Sequence, residues 1–394
     1  MSMRCLTIAI SILAIIVLTA CGQRDPVISA WVPVGPQPTI LPSVTPNRPL
    51  PASTPLVAVM EPVRPTPTPS LVDIATQIDL YLRDLTEKGQ FRGSVLVATQ
   101  GRILVARGYG QANVERDLPN TAQTRFRIAS ITKPFTALAI MQLQAADKLN
   151  VNESVCRYLP DCPPAWQPIT LHHLLTHTAG IPNYTDFRDF EQLERSPVTP
   201  TQLAARFRNL PLDFAPGSAF RYGNSNYVVL GLVIEAVSGQ SYADYIRANI
   251  FVPAGMTNSG YDSGDASALN GTVGYIGPGA ERAIPIDTSN LYSAGGLYST
   301  VEDLYRFVTA LNSGQLLPAA ELNQMYTPVR NNYGYGWKIE DRNGRTVIYH
   351  PGFISGAVSH LAYYPDTQSV VIVLSNMERT NADAIAATIG AMLP

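Results

Sequence analysis

Hydrophobic residues recur at helical spacing where the globular part of the chain begins. Over residues 71–85 apolar side chains return every three or four positions, and Gly89 ends the pattern, which predicts an opening helix. Two apolar, β-rich runs follow, Gly93–Thr99 and Arg102–Tyr109. The Gln100-Gly101 pair between them predicts a hairpin.

The middle of the chain is largely helical in its pattern, and strand patterns return near the C-terminus. They cover residues 335–339, 346–349, 358–364 and 369–374, and a last helical pattern covers residues 381–393. We therefore predict an α/β protein, more closely an α+β sandwich. Its antiparallel sheet combines N- and C-terminal strands, helices flank the sheet, and a mostly helical region is inserted between the two sets of strands.

The first twenty residues carry Arg4 and then a short, nearly unbroken apolar run, which is typical of a signal peptide. The run ends in Leu18-Thr19-Ala20-Cys21, which resembles a bacterial lipobox. This resemblance implies that residues 1–20 are removed, that Cys21 is acylated and that a lipid anchors the protein to a bacterial membrane. An uncleaved signal anchor is the alternative. Either interpretation places the rest of the chain outside the cytoplasm, at the cell surface or in the periplasm.

Proline dominates the segment that follows Cys21. Thirteen of the 32 prolines fall between Pro26 and Pro69, and proline fixes φ and removes backbone donors, so residues 21–70 are predicted to form an extended tether. A proline-rich ligand for a partner domain is the alternative interpretation. The globular domain is then expected to span residues 71–394.

The charge of the chain is nearly balanced. The formal net charge is −2 and acids and bases form no long run, so nothing indicates nucleic-acid binding. Small molecules or peptides are the expected partners, besides the membrane itself.

Cysteine and histidine positions do not favour a metal site. Cys156 and Cys162 have no second ligand pair near them, so a small disulfide loop or two free thiols is expected. His173 and His177 stand four residues apart, but no third ligand is placed nearby. The glycine-rich stretches lack the pattern of a nucleotide loop, and we predict neither a metal nor a cofactor.

The first candidate for chemistry is a serine followed three residues later by a lysine. Ser130 ends a strand-like segment and starts a helical pattern, and Lys133 shares its helix face. A serine hydroxyl is a weak nucleophile that needs a base or a stabilising charge, and an adjacent amine can provide either. Alone, the pattern also fits a helix cap with an exposed lysine.

A second candidate pair lies after a Pro-Gly loop. Tyr222 precedes a helical pattern and can project into a cleft, and Asn224 can bind both a substrate amide and Lys133. A proton-shuttling Tyr222 needs a lowered pKa, and a neighbouring ammonium would lower it. A buried tyrosine and a capping asparagine are the purely structural alternatives.

These elements, in this order, resemble the penicillin-binding serine hydrolases. The resemblance covers residues 71–394 and points to the branch that holds class C β-lactamases, D,D-carboxypeptidases, D-aminopeptidases and esterases. Its three motifs correspond to Ser130 with Lys133, Tyr222 with Asn224, and the triplet His350-Pro351-Gly352. The stretches at residues 169–180 and 294–300 are also similar to this branch.

The resemblance implies an acyl-enzyme on Ser130, with Lys133 and Tyr222 as the groups that transfer protons. It also implies that Asn224, His350 and Gly352 bind substrate, and that the N–H groups of Ser130 and Phe353 form the oxyanion hole. His350 stands where many relatives carry lysine, so capture of a substrate carboxylate is weaker. We therefore expect a D-amino-acid peptidase, a carboxypeptidase or an esterase. A class C-like β-lactamase and a non-catalytic surface binding protein are the alternatives.

Overall fold

A six-stranded antiparallel sheet forms the centre of the fold. The computed structural model describes residues 70–265, 267–342 and 344–394. The strands of its long sheet lie in the order Arg102–Tyr109, Gly93–Thr99, Ser369–Ser375, Ala357–Tyr364, Arg345–Ile354 and Lys338–Arg342. The N-terminal hairpin therefore pairs directly with the last strand. The predicted sheet of N- and C-terminal strands is confirmed. The signal peptide, Cys21 and the tether, apart from Ser70, lie outside the described residues.

The strands and helices have the following bounds. The strands are β1 (Gly93–Thr99), β2 (Arg102–Tyr109), β3 (Gln111–Asn113), β4 (Leu118–Pro119), β5 (Phe126–Arg127), β6 (Gly260–Tyr261), β7 (Leu297–Ser299), β8 (Lys338–Arg342), β9 (Arg345–Ile354), β10 (Ala357–Tyr364) and β11 (Ser369–Ser375). The α-helices are α1 (Leu71–Glu87), α2 (Thr132–Ala145), α3 (Leu171–Leu175), α4 (Phe190–Leu193), α5 (Pro200–Ala205), α6 (Asn224–Ser238), α7 (Tyr242–Ile246), α8 (Tyr292–Gly295), α9 (Val301–Asn312), α10 (Ala319–Met325) and α11 (Ala382–Met392).

Two hydrophobic clusters cover the two faces of this sheet. Alternate side chains of β1 point to opposite sides, so Leu96 joins the larger cluster around α2, α6 and α9, while Val95 and Val97 join the smaller one with α1 and α11. The result is the predicted layered arrangement, with helices on both faces and the helical insertion between β2 and β8.

Two C-terminal strands differ from their predicted bounds by more than one residue. The strand predicted at residues 335–339 begins at Lys338, because Gly336 adopts a φ of +77° that breaks extended pairing. The strand predicted at residues 346–349 continues to Ile354, through Pro351. The sheet edge therefore carries the whole His350-Pro351-Gly352 triplet.

The structure also settles the state of one cysteine pair. Cys156 and Cys162 form a disulfide that closes a short loop at the border of the larger cluster. Within the described part of the chain, no helix combines the length and the apolar character needed to cross a bilayer.

Candidate active site

Ser130 lies between the short strand β5 and helix α2. Strand β5 leads into a 3-10 turn at Ala129–Ile131, and α2 begins directly after it at Thr132. The predicted position at a helix start is confirmed, with the difference that a 3-10 turn carries the serine. Ala129 has a φ of +47°, a conformation that costs a non-glycine residue free energy, and strained residues of this kind cluster at functional sites.

Lys133 is fully buried next to Ser130. Its Nζ lies 3.0 Å from Ser130 Oγ, 2.8 Å from Asn224 Oδ1 and 2.9 Å from the carbonyl oxygen of Ala294. Burial lowers the pKa of Lys133 well below its usual value. Two of the three partners are pure acceptors, so a neutral amine donates its two N–H bonds to them and turns its lone pair to the Ser130 hydroxyl.

Tyr222 approaches Ser130 from the other side. Its hydroxyl donates to Ser130 Oγ at 2.9 Å. The predicted lowering of its pKa is wrong: burial raises the pKa of Tyr222 above its usual value. The reason is that desolvation of the phenol outweighs the lowering effect of its hydrogen bond to Ser130. Tyr222 is therefore a neutral phenol near pH 7.

Asn224, the first residue of α6, is held in one orientation. Its Nδ2 donates to Thr185 Oγ1 at 3.2 Å and its backbone N–H donates to Asn183 Oδ1 at 2.9 Å. Its Oδ1 consequently faces Lys133, as the sequence predicted. The sequence pattern did not reveal Asn183 and Thr185, because they lie at a single 3-10 turn, Tyr184–Asp186, which is too short to show a periodic pattern.

His350 is placed in the site but is not available to a ligand. The ring is buried, its Nδ1 donates to the carbonyl oxygen of Pro351 at 2.6 Å, and its Nε2 accepts from the Tyr333 hydroxyl at 2.9 Å. Burial lowers the pKa of His350 to about 3. His350 is therefore neutral, with both nitrogens occupied by the protein.

Gly352 allows strand β9 to lie against the turn that carries Ser130. A Cβ at this position would lie 2.2 Å from Ser359 Oγ and 2.5 Å from the carbonyl oxygen of Ile128. Ser359 donates to that same carbonyl at 2.8 Å and so ties β10 to the turn. Phe353, the next residue, is 64% exposed.

A cavity of about 660 Å³ opens over Ser130. Its walls include all the predicted residues of the site except Lys133, which lies beneath it, and its outer part carries the charged side chains of Lys338 and Asp383. Asp383 is paired with His360 at 2.6 Å. A second cavity of about 610 Å³ lies on the other side of Phe353 and shares Asn224 and Phe353 with the first.

The structure therefore gathers Ser130, Lys133, Tyr222, Asn224, His350, Gly352 and Phe353 around one cavity. Cys156 and Cys162 line neither of the two cavities. Other residues at the site carried no assigned role at the sequence level: Asn183, Thr185, Ala294, Tyr333 and Ser359. Ala294 belongs to the stretch at residues 294–300 that resembles the family, which was the one available indication.

Comparison with known proteins gives consistent matches. The sequence model of the family described as Beta-lactamase matches residues 78–393. Penicillin-binding protein 4* of Bacillus subtilis (strain 168) is 32% identical over 320 residues, a match covering 75% of this chain and 70% of that protein. The crystal structure of a penicillin-binding protein from Bacillus halodurans is similar at TM-score 0.72 and 32% identity, covering 79% of this chain and 99% of that one.

A more distant likeness extends the fold comparison. D-amino acid amidase from Ochrobactrum anthropi SV3 matches at TM-score 0.72 and 22% identity, over 81% of this chain and 98% of the amidase. This likeness concerns the fold.

Proposed function

The chain belongs to the beta-lactamase family of serine hydrolases, and from this premise we propose that it cleaves an amide or ester bond through an acyl-enzyme on Ser130. One observation carries the proposal. Ser130 Oγ lies 3.0 Å from the amine of Lys133 and 2.9 Å from the hydroxyl of Tyr222, at the floor of an open cavity. A nucleophile, a base and an acid are thus within hydrogen-bond reach of one another.

Acylation follows from the protonation states. The neutral amine of Lys133 takes the Ser130 proton as Oγ forms a bond to the substrate carbonyl carbon. The resulting tetrahedral oxyanion is stabilised by the N–H groups of Ser130 and Phe353. Tyr222, a phenol with its pKa raised by burial, donates its proton to the leaving nitrogen or oxygen. Lys133 then returns a proton to Tyr222, which leaves an ester on Ser130.

Deacylation uses the same groups in reverse. A water molecule gives one proton to the Lys133–Tyr222 pair as its oxygen attacks the ester carbonyl. The same pair returns a proton to Ser130 Oγ, which leaves as a hydroxyl. Asn224 holds the substrate amide, because its position is fixed by two hydrogen bonds and it borders both cavities.

The geometry also suggests how a substrate lies in the site. Tyr222 lines the first cavity and not the second, so a leaving group that receives its proton belongs in the first. The acyl part then extends past Asn224 and Phe353 into the second cavity, whose walls include Ile284, Ile286 and Leu291.

Within this class we propose a peptidase acting on D-amino-acid peptides, or an esterase, ahead of a β-lactamase. The observation behind this order is His350, which is neutral and has both nitrogens engaged by the protein. It offers no charge to a carboxylate on the leaving group. Lys338, at the outer wall of the first cavity, is the cation left to attract one.

A substrate panel tests whether peptidase or esterase activity exceeds β-lactamase activity. The purified full chain is assayed with a D-alanyl-D-alanine peptide, a D-amino-acid anilide, a p-nitrophenyl ester and a chromogenic cephalosporin, with Ser130→Ala as the control for each. We expect turnover of the anilide or the ester to exceed that of the cephalosporin. Fastest turnover of the cephalosporin would contradict the order, and turnover that survives in the Ser130→Ala variant would contradict the mechanism.

We also propose that the protein is lipid-anchored through Cys21 outside the cytoplasm. The support is the sequence alone: the apolar run, the lipobox-like end and the proline-rich segment behind it. Incorporation of labelled palmitate and membrane fractionation test it. The wild-type chain is expected to carry label and to sediment with membranes, whereas Cys21→Ala is expected to lose both. A Cys21→Ala variant that keeps the label would refute the anchor.

A further inference from the structure

His177 contacts the peptide groups on both sides of Tyr222. The carbonyl oxygen of His177 accepts the N–H of Arg221 at 3.0 Å, and its Nδ1 accepts the N–H of Gly223 at 3.2 Å. The backbone is therefore held one residue before and one residue after Tyr222. Two such contacts fix the direction in which the Tyr222 side chain leaves the chain.

The imidazole of His177 also packs against the ring of Tyr222. The two ring centres lie 4.4 Å apart, and the rings of Tyr333 and Tyr227 lie 4.7 Å and 5.1 Å from His177. His177 is fully buried. Its ring therefore fills the space beside Tyr222 and limits movement of the phenol.

The hydrogen-bond pattern assigns the tautomer of His177. The Asn226 side-chain amide nitrogen also lies 3.2 Å from Nδ1, so two donors converge on this atom and it must carry a lone pair. The proton of the neutral ring is then on Nε2, which is buried without a hydrogen-bond partner among the described residues.

Two local features of His177 are unfavourable for stability. A buried N–H without an acceptor costs free energy, and His177 adopts a φ of +56°, which is uncommon for a residue other than glycine. Such costs persist where the surrounding structure imposes them, and they concentrate at functional sites.

We propose that His177 is a positioning residue, which holds the Tyr222 hydroxyl against Ser130 through its backbone carbonyl, its Nδ1 and its ring. The inference rests on the proposed function, because the position of Tyr222 matters for catalysis only if Tyr222 transfers protons. His177 does not touch the reacting atoms. It acts through the 2.9 Å contact between Tyr222 and Ser130.

Substitutions at His177 distinguish the contribution of the Nδ1 acceptor from that of the imidazole ring. His177→Asn keeps an acceptor at the position of Nδ1 and tolerates positive φ, whereas His177→Ala removes both acceptor and ring. We expect acylation by a fluorophosphonate to fall roughly 10- to 100-fold in His177→Ala, since small misplacements of catalytic groups have effects of this size. In His177→Asn we expect a loss of no more than about 5-fold.

His173→Ala is the matched control for loss of stability. His173 lies four residues earlier and its Nδ1 accepts the N–H of Thr170, so its removal weakens helix α3, which ends just before His177, without touching Tyr222. Melting temperatures are measured for each variant. We expect His173→Ala to melt earlier than wild type and to acylate at the wild-type rate. A His173→Ala variant that loses as much rate as His177→Ala would refute the inference.

A double mutant tests whether His177 acts through Tyr222. In a Tyr222→Phe background the hydroxyl is absent, so adding His177→Ala is expected to slow acylation by less than about 3-fold, because coupled residues are non-additive. Losses that multiply would overturn the inference, as would a His177→Ala single variant that acylates normally.

A structural readout keeps this test distinct from the proposed function. Crystal structures of the wild-type chain and of His177→Ala give the distance from Tyr222 Oη to Ser130 Oγ directly. We expect it to exceed hydrogen-bond range in the variant, and an unchanged distance would overturn the inference. If the wild-type chain takes no fluorophosphonate, the proposed function fails, and this comparison still decides the role of His177.

Discussion

Burial shifts the pKa values of the two groups that contact Ser130, and the proposed choice of base rests on these shifts. From the sequence, an ammonium on Lys133 was expected to lower the pKa of Tyr222. The structure reverses this order, because Lys133 is fully buried and its own pKa falls, while desolvation raises the pKa of Tyr222. In the proposed mechanism, Lys133 is therefore the group that accepts the proton, and Tyr222 is the group that donates one.

Replacement of Lys133 by arginine tests this assignment. A guanidinium stays protonated at all accessible pH values, so Lys133→Arg is expected to slow acylation by about 1,000-fold, as loss of a general base typically does. Stopped-flow labelling with a fluorophosphonate measures the rate. Lys148→Arg, at an exposed lysine, is the control and is expected to react normally. Near-normal labelling of Lys133→Arg would contradict the assignment.

His350 makes a pH-dependent contribution to stability. Its pKa is about 3 in the folded protein against 6.5 in its usual state. Between these values the unfolded chain binds a proton that the folded chain does not, so stability falls as the pH falls from 6.5 towards 3. Between pH 6.5 and pH 5 the loss amounts to about 2 kcal/mol.

His350→Gln removes this titration. Urea unfolding at pH 7.5 and pH 5 is expected to show a smaller loss of free energy of unfolding on acidification in His350→Gln than in wild type, by about 2 kcal/mol. Equal losses in the two proteins would show that His350 titrates normally and is not shielded.

At the scale of elements, the close approach of β9 to the Ser130 turn positions the site. The approach depends on Gly352, where any Cβ would collide with Ser359 and with the Ile128 carbonyl. Because the carbonyl belongs to the backbone, it cannot rotate away as a side chain would. A larger residue must therefore push the strand off the turn.

Gly352→Ala is expected to lower the free energy of unfolding by about 1–3 kcal/mol, the usual cost of overpacking, and to slow acylation at least about 10-fold. Gly279→Ala is the control, since a Cβ there meets nothing within 4 Å and should change neither quantity. Differential scanning calorimetry and labelling rates give both measurements. An active Gly352→Ala variant of normal stability would show that the close approach of β9 to the Ser130 turn does not require glycine at this position.

Local sequence patterns were sufficient for elements whose boundaries are set locally. Strands β1 and β2 have the predicted bounds, because their apolar, β-rich runs and the Gln100-Gly101 turn between them define them. Strand β9 runs five residues further than predicted. Its extension through Pro351 depends on pairing with β10, which no local pattern reveals.

At the scale of the whole molecule, the site combines residues far apart in the sequence. The three motifs predicted that Ser130, Lys133, Tyr222 and Asn224 lie together in one site. It did not predict that Ala294 accepts from Lys133 or that His350 is enclosed. Those contacts depend on how α8 and β9 pack around α2, and the resulting desolvation sets the pKa values.

The proposed mechanism requires a covalent acyl-enzyme on Ser130, and intact mass spectrometry detects such an adduct. The purified chain and its Ser130→Ala variant are incubated separately with a fluorescent penicillin and with a fluorophosphonate. We predict a single added mass with the fluorophosphonate on the wild-type chain alone, with slower or no addition from the penicillin. A wild-type chain that gains no mass from either reagent, or a Ser130→Ala variant that gains it equally, would contradict the mechanism.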